Sequence, residues 1–195
     1  MPGGRPLPNG APMRKILAFM MVTVDGYHAD TAGTTGWHTV DAEFGEFAAE
    51  QLDEADTLLF GRVTYEMMAA YWPTPEATER DPEVAGRMNS TPKIVVSRTL
   101  GTAGWSGTRL VRDTGELARL KGEPGGDIMI LGSSALTVSL LEAGLVDELR
   151  IMVSPLALGA GQSAFRNEAG PTSLELLEAR AFKSGNVLLS YRPAG

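Results

Sequence analysis

Three apolar runs in this sequence end in residues suited to holding an anion. TLLFG (57–61) leads into Arg62, Val63 and Thr64, KIVVS (93–97) closes on Ser97 and Arg98, and DIMIL (127–131) gives way to Gly132, Ser133 and Ser134. Gly61 and Gly132 let the backbone turn sharply and come close to a ligand. A helix that opens just beyond such a turn leaves its first N–H groups unpaired, and the positive end of its dipole suits a phosphate. Arg62 and Arg98 add fixed planar charges; Thr64 and Ser97 add hydroxyls. Taken singly, each end is equally well an ordinary cap, turn or packing gap. Taken together at the carboxyl ends of parallel strands, they fit one extended polyphosphate ligand, and a dinucleotide is such a ligand. Two arginines near its adenosine end favour the form with the extra 2′-phosphate. A charged hydrogen bond contributes about 1.5–3 kcal/mol, enough for roughly tenfold or more preference for NADPH over NADH.

The elements that must position these residues alternate between strand and helix. KILAFMMVTV (15–24) is the near-continuous apolar run of a strand buried on both faces, ended by an Asp25-Gly26 turn. Residues 40–54 place Phe44, Phe47, Ala48 and Leu52 at helical spacing behind Asp41, a plausible N-cap. A helix follows Gly61 and should stop before Pro73. A short helix is expected at PEVAGRMN (82–89), a strand at TRLVR (108–112) and a helix at GELARLK (115–121). SALTVSLLEAG (134–144) reads as an apolar helix with Gly144 at its C-cap, and ELRIMVSPLAL (148–158) as a strand whose pairing Pro155 limits. The closing segment, SLELLEARAF-KSGN-VLLSYR, reads as a hairpin. This order predicts an α/β fold with a largely parallel sheet and an antiparallel edge. GAGQSA (159–164) fits a loose dinucleotide fingerprint, but no helix follows it, so it reads as a structural turn.

Composition narrows the classes. The 195 residues suit one domain, expected over 13–195, behind a proline- and glycine-rich tail at 1–12 that reads as disordered. There is no cysteine, hence no disulfide and no thiolate chemistry, which fits a reducing, cytoplasmic setting. Two histidines leave little for a metal centre, and none is expected. The net charge of −7 argues against nucleic acid and anionic membranes as partners.

The ordered set VTVDGYHA, LLFGRVTYE, YWP (71–73), KIVVSRTL, ILGSSAL and GLVDELRIMVSPLALGAG resembles the dihydrofolate-reductase-like family, in the branch related to the reductase domain of riboflavin biosynthesis. The resemblance runs from about Met13 to Arg192. It implies a mixed, mostly parallel eight-stranded sheet with flanking helices, NADPH as cofactor, and hydride transfer to a small heterocyclic, imine or carbonyl substrate. Carried across, Gly61, Arg62 and Thr64 match the phosphate-binding helix start, and Ser97 and Arg98 the segment at the 2′-phosphate. Gly132, Ser133, Ser134 and Ala135 match the pyrophosphate turn, where relatives often have two adjacent glycines and this chain has Ser133. Met20 and Met21 match positions beside the nicotinamide.

For catalysis, the resemblance offers three carboxylates. Glu43 matches the first-helix carboxylate that holds the pterin in folate-reducing relatives, with Asp41 the neighbouring candidate and Asp25 matching the turn after the first strand. Trp37, His38, Tyr65 and Trp72 are candidates to line the substrate side, with His38 expected to be exposed. TGWHTVDAEF has the family's tryptophan but no proline, which argues against dihydrofolate as natural substrate. The competing reading is a non-catalytic NADPH-binding or sensor protein on the same fold; another is a reductase of xenobiotic nitro or carbonyl compounds. A homodimer is expected, with the apolar stretch 139–158 as its candidate surface.

Overall fold

The computed structural model describes residues 13–166 and 170–194. The tail expected at 1–12 lies outside them. Eight strands form one sheet in the order β5 (Thr108–Val111), β4 (Lys93–Val96), β3 (Ala55–Gly61), β6 (Asp127–Leu131), β1 (Ile16–Thr23), β7 (Glu148–Ser154), β10 (Val187–Pro193) and β9 (Leu174–Ala181). Pairing is parallel from β5 through β7, and β10 runs antiparallel to both its neighbours. A separate ribbon joins β2 (Tyr27–Ala29) to β8 (Gln162–Ser163). The helices are α1 (Ala42–Glu54), α2 (Arg62–Tyr71), α3 (Pro75–Arg80), α4 (Pro82–Ser90), α5 (Gly115–Lys121) and α6 (Ser134–Glu142).

The central strands are apolar on both sides because helices cover both sides. In β1, Ile16, Ala18, Met20 and Val22 pack with Leu117 and Leu120 of α5 and Leu136 and Leu140 of α6. Leu17, Phe19 and Met21 point the other way, to Phe47 and Leu52 of α1, Tyr65 of α2 and Met88 of α4. Each buried side chain of this kind contributes about 1.5–3 kcal/mol. The expected dihydrofolate-reductase-like architecture, with its antiparallel hairpin at one edge, is the one found.

Four local readings need correction. The strand expected over 148–158 stops at Ser154: Pro155 has no N–H to give the ladder, Leu156 N turns back to Ser154 O (2.8 Å), and Val24 N bonds Leu156 O (2.9 Å). GAGQSA is more than a turn, since Gln162 and Ser163 pair with β2, and a side chain at Gly161 would collide with the Ala29 carbonyl. The helix α3 was not foreseen, although Thr74 caps it by accepting from Ala77 N (3.2 Å) and Pro75 opens it. The apolar stretch 139–158 is largely core rather than surface, with Leu140, Leu149 and Met152 fully buried.

Candidate functional site: a cleft at the carboxyl ends of the parallel strands

The three anion-suited ends are neighbours. Gly61 pairs with Val96, so Ser97 lies one residue beyond it on β4, and Leu59 pairs with Ile130, which brings Gly132 level with Gly61. At about 4.8 Å per strand the outer two ends lie roughly 10 Å apart. Ser133 ties the middle together: its Oγ accepts from Gly61 N (2.8 Å). Its φ of +56° makes it the non-glycine residue with left-handed backbone among the described residues, so a path that glycine follows more easily is followed here by serine. Gly132, at φ +68°, faces Thr64; a Cβ there would lie 3.5 Å from Thr64 Cγ2.

Both helices that start here lack a side-chain cap. Gly61 precedes α2 and Ser133 precedes α6, and neither makes a capping bond to the helix it introduces. Ser134 and Ala135 open α6, and Arg62, Val63 and Thr64 open α2. The leading N–H groups of two adjacent helices therefore face one rim without a side-chain acceptor.

The rim is also cationic in an acidic chain. Arg62 reaches Glu66 one turn along (2.8 Å), an exposed pair that a stronger anion displaces easily. Arg98 is exposed and makes no ion pair among the described residues. Ser97 is buried, and its Oγ accepts from Thr99 N (3.2 Å) and Leu100 N (2.9 Å), which fixes the turn that presents Arg98. Arg112, absent from the sequence-derived set, donates from Nη1 to Ser97 O (3.0 Å) and Leu100 O (2.7 Å). It reinforces that turn with a guanidinium that has no carboxylate partner among the described residues. Its signal in the sequence was its place at the end of β5, beside β4.

Between these ends the sheet opens. β6 pairs with β1 only as far as Phe19, while β7 continues to Thr23. Phe19 O accepts from Gly132 N (2.8 Å) and Lys15 O from Ile128 N (2.8 Å). Alternation along the strand turns the N–H and C=O of Met21 to the same side, beyond the end of β6, where no strand among the described residues meets them. Met20 and Met21 bury their side chains on opposite faces, so it is the backbone of Met21 that lines this gap.

The carboxylates lie past β1, where each holds structure together. Asp25 takes the Thr23 hydroxyl (2.5 Å), Leu158 N (3.2 Å) and Gly159 N (2.7 Å), and the Thr23 hydroxyl bond is the main cause that holds its carboxyl below the usual range. Asp41 caps α1 by accepting from Phe44 N (2.9 Å). Glu43 accepts from Lys183 N (2.9 Å) and pairs with Arg180 (3.6 Å), tying α1 to the closing hairpin.

The remaining polar groups of this corner are unspent. Thr23 pairs with Ser154, and continuing the β7–β10 register sets Asn186 opposite Ser154. Among the described residues Ser154 Oγ and Asn186 Oδ1 are buried without a partner, as are Trp37 Nε1 and His38 Nε2. Asn186 Nδ2 donates to Thr39 O (3.1 Å), which seats the Trp37-His38 segment on the hairpin. Contrary to expectation His38 is half-buried, edge-on to Trp37 at 4.4 Å, and burial pushes its pKa down to about 4. Tyr65 and Trp72 lie elsewhere: Tyr65 Oη accepts from Trp105 N (2.9 Å), and Trp72 packs against Tyr71.

Sequence and structure comparisons give the chain its family and its fold relatives. The family model of the RibD C-terminal domain matches residues 14–188, and the chain belongs to that family. It is 30% identical over 185 residues to the protein YyaP of Bacillus subtilis (strain 168), covering 94% of this chain and 97% of that one. It is 29% identical over 154 residues to the riboflavin biosynthesis protein RibD of Corynebacterium ammoniagenes, covering 72% of this chain and 43% of RibD. Dihydrofolate reductase from Enterococcus faecalis, solved with NADP(H), has the same fold, with a TM-score of 0.65 at 14% identity over 93% of this chain and 97% of that one. Among the described residues no helix is long and apolar enough to cross a membrane.

Proposed function

We propose that the protein is an NADPH-dependent reductase of a small pteridine- or pyrimidine-like heterocycle or a related imine or carbonyl compound. The observation that carries this reading is the gap beyond β6, with the unpaired backbone of Met21 on one side and the uncapped starts of α2 and α6 on the other. The names of the relatives, a riboflavin biosynthesis protein and a dihydrofolate reductase bound to NADP(H), support it. Bound NADPH would supply the hydride. The residues present fit it: the amides opening α2 and α6 would hold the pyrophosphate, with Arg62 and Arg98 on the 2′-phosphate and Met21 presenting backbone polar groups to the carboxamide end. The substrate would lie at the corner of Thr23, Ser154 and Asn186 under Trp37 and His38. Its proton would come from water, because His38, its pKa pushed down to about 4 by burial, is neutral and Asp25, Asp41 and Glu43 are each bonded to backbone N–H groups. We further propose a homodimer acting in a reducing compartment, which a chain without cysteine suits.

That same engagement of the carboxylates favours a second reading, a protein that binds NADPH without turnover. Fluorescence titration with NADPH, followed by a turnover screen with dihydrofolate and the ring-opened pyrimidine precursor of riboflavin, separates the two. The reductase consumes NADPH with at least one heterocycle. Tight binding without oxidation selects the sensor, and failure to bind removes both.

A further inference from the structure

The outer edge of the sheet carries a pattern that the cofactor cleft does not use. Among the described residues β9 pairs only with β10 and its outer edge is open along its length, with Leu174 36%, Leu176 53% and Leu177 47% exposed. The opposite edge, β5, has four residues; β9 has eight. A long open edge with exposed leucines is a template for another strand.

The faces of β9 follow from its pairing with β10. Tyr191 packs toward α6 and pairs with Leu176; Leu188 packs toward α1 and pairs with Arg180. One extra residue, Leu177, bulges between these two registers, since Tyr191 pairs with Leu176 and Ser190 with Glu178. The bulge reverses the alternation. Leu174, Leu176, Ala179 and Ala181 therefore share the α6 face, and Glu175, Glu178 and Arg180 share the α1 face. Arg180 agrees with this, reaching Glu43 at 3.6 Å and lying over the Phe182 ring at 4.6 Å.

We propose that β9 pairs antiparallel with β9 of a second copy, about a two-fold axis between Leu177 and Glu178, to make one continuous sheet. This register matches both faces at once. It sets Leu174 opposite the partner's Ala181 and Leu176 opposite the partner's Ala179, large against small, on the α6 face. It sets Glu175 opposite the partner's Arg180 on the α1 face, and the two-fold repeats that pair. Within one chain Glu175 already meets Arg192 (2.7 Å) and Arg180 meets Glu43, so pairing joins them into alternating networks of four charges. Sliding by one residue sets apolar faces against charged ones; sliding by two toward Leu176 sets Glu175 opposite Glu178. A strand pair alone buries less than the roughly 800 Å² per partner of a standard interface. The adjoining groove, about 690 Å³ and lined by Val138, Leu141, Ile151, Phe165, Leu174 and Tyr191, extends the apolar surface on the same face. A closed two-fold contact leaves neither copy with a free β9 edge.

The inference rests on the homodimer proposed above, and charge reversal separates the two. Sedimentation velocity of the full chain should give a dimer. Glu175→Arg sets like charges across the axis, as does Arg180→Glu, so each should weaken dimerisation at least about tenfold while thermal unfolding stays near that of the parent. An equimolar mixture of the two variants makes both contacts complementary and should restore a dimer. In this cysteine-free chain, Leu177→Cys puts one thiol per copy beside the axis, and a short bismaleimide should join two copies, a check independent of the reversals. A monomeric parent overturns both proposals. A dimer indifferent to both reversals, a mixture that stays monomeric, or a thiol pair that does not cross-link overturns the β9 contact alone.

Discussion

The proposed cofactor rim and the proposed substrate corner lie at the same end of the sheet and use their polar groups in opposite ways. At the rim, the ends of β3, β4 and β6 leave groups unspent: the N–H groups opening α2 and α6, the Arg98 guanidinium and the outward backbone of Met21. At the corner the charged groups are consumed by the fold, with Asp25 holding the loop at Gly159, Asp41 capping α1 and Glu43 holding the hairpin at Lys183. What remains open there is uncharged at neutral pH: a serine, an asparagine, a tryptophan and a histidine. The rim is built for a charged ligand by backbone geometry. The corner suits a neutral, planar one recognised by side chains.

The sharpest way to break this contrast is to change the rim's backbone. Gly132→Val forces a β-branched residue into a left-handed conformation beside Thr64. NADPH affinity by fluorescence titration should fall about 100-fold or more; near-parental binding would detach Gly132 from the cofactor. Next in size is Arg62→Ala with Arg98→Ala. At about 1.5 kcal/mol for each, the low end for a charged hydrogen bond because both side chains are exposed, NADPH should bind roughly 100-fold more weakly and NADH almost unchanged. Equal losses would mean that these side chains do not read the 2′-phosphate.

Two smaller effects probe the corner. The unfolded chain protonates His38 near its ordinary value of 6.5, the folded chain only near 4, because burial and then His28 disfavour the charged ring. Stability should therefore fall as pH drops from about 6.5 to 4, by on the order of 2 kcal/mol after allowing for the ring's partial exposure. His38→Gln should flatten that window in denaturant titrations, while acid loss from the Asp25 and Asp30 carboxyls, whose pKa values are lowered, persists below about 4. Glu43→Gln should cost about 1 kcal/mol of stability and leave NADPH affinity unchanged. Weaker NADPH binding would blur the boundary between the two regions.

The rim was legible in the sequence because backbone chemistry writes itself locally. Apolar runs fixed β1, β3, β4 and β6, and the residue after each run announced a turn. Arg112 was missed because its two carbonyl acceptors, Ser97 and Leu100, reach it only through the β4–β5 pairing. The corner was poorly legible for the same reason on a larger scale. Glu43 meets Lys183 across 140 positions and Asp25 meets Gly159 across 134, and no local pattern encodes such contacts. The ribbon of β2 and β8 is too short for any periodicity, and the bulge at Leu177, which decides the faces of β9, shows only in the register with β10.

Amide chemical-shift mapping with NADPH tests the rim most directly. The amides of 61–64, 97–100, 132–135 and Met21 should move together and saturate with one dissociation constant, while those of 174–181 stay still. Shifts confined to a single strand end, or groups that titrate with unrelated constants, would contradict a common cofactor cleft.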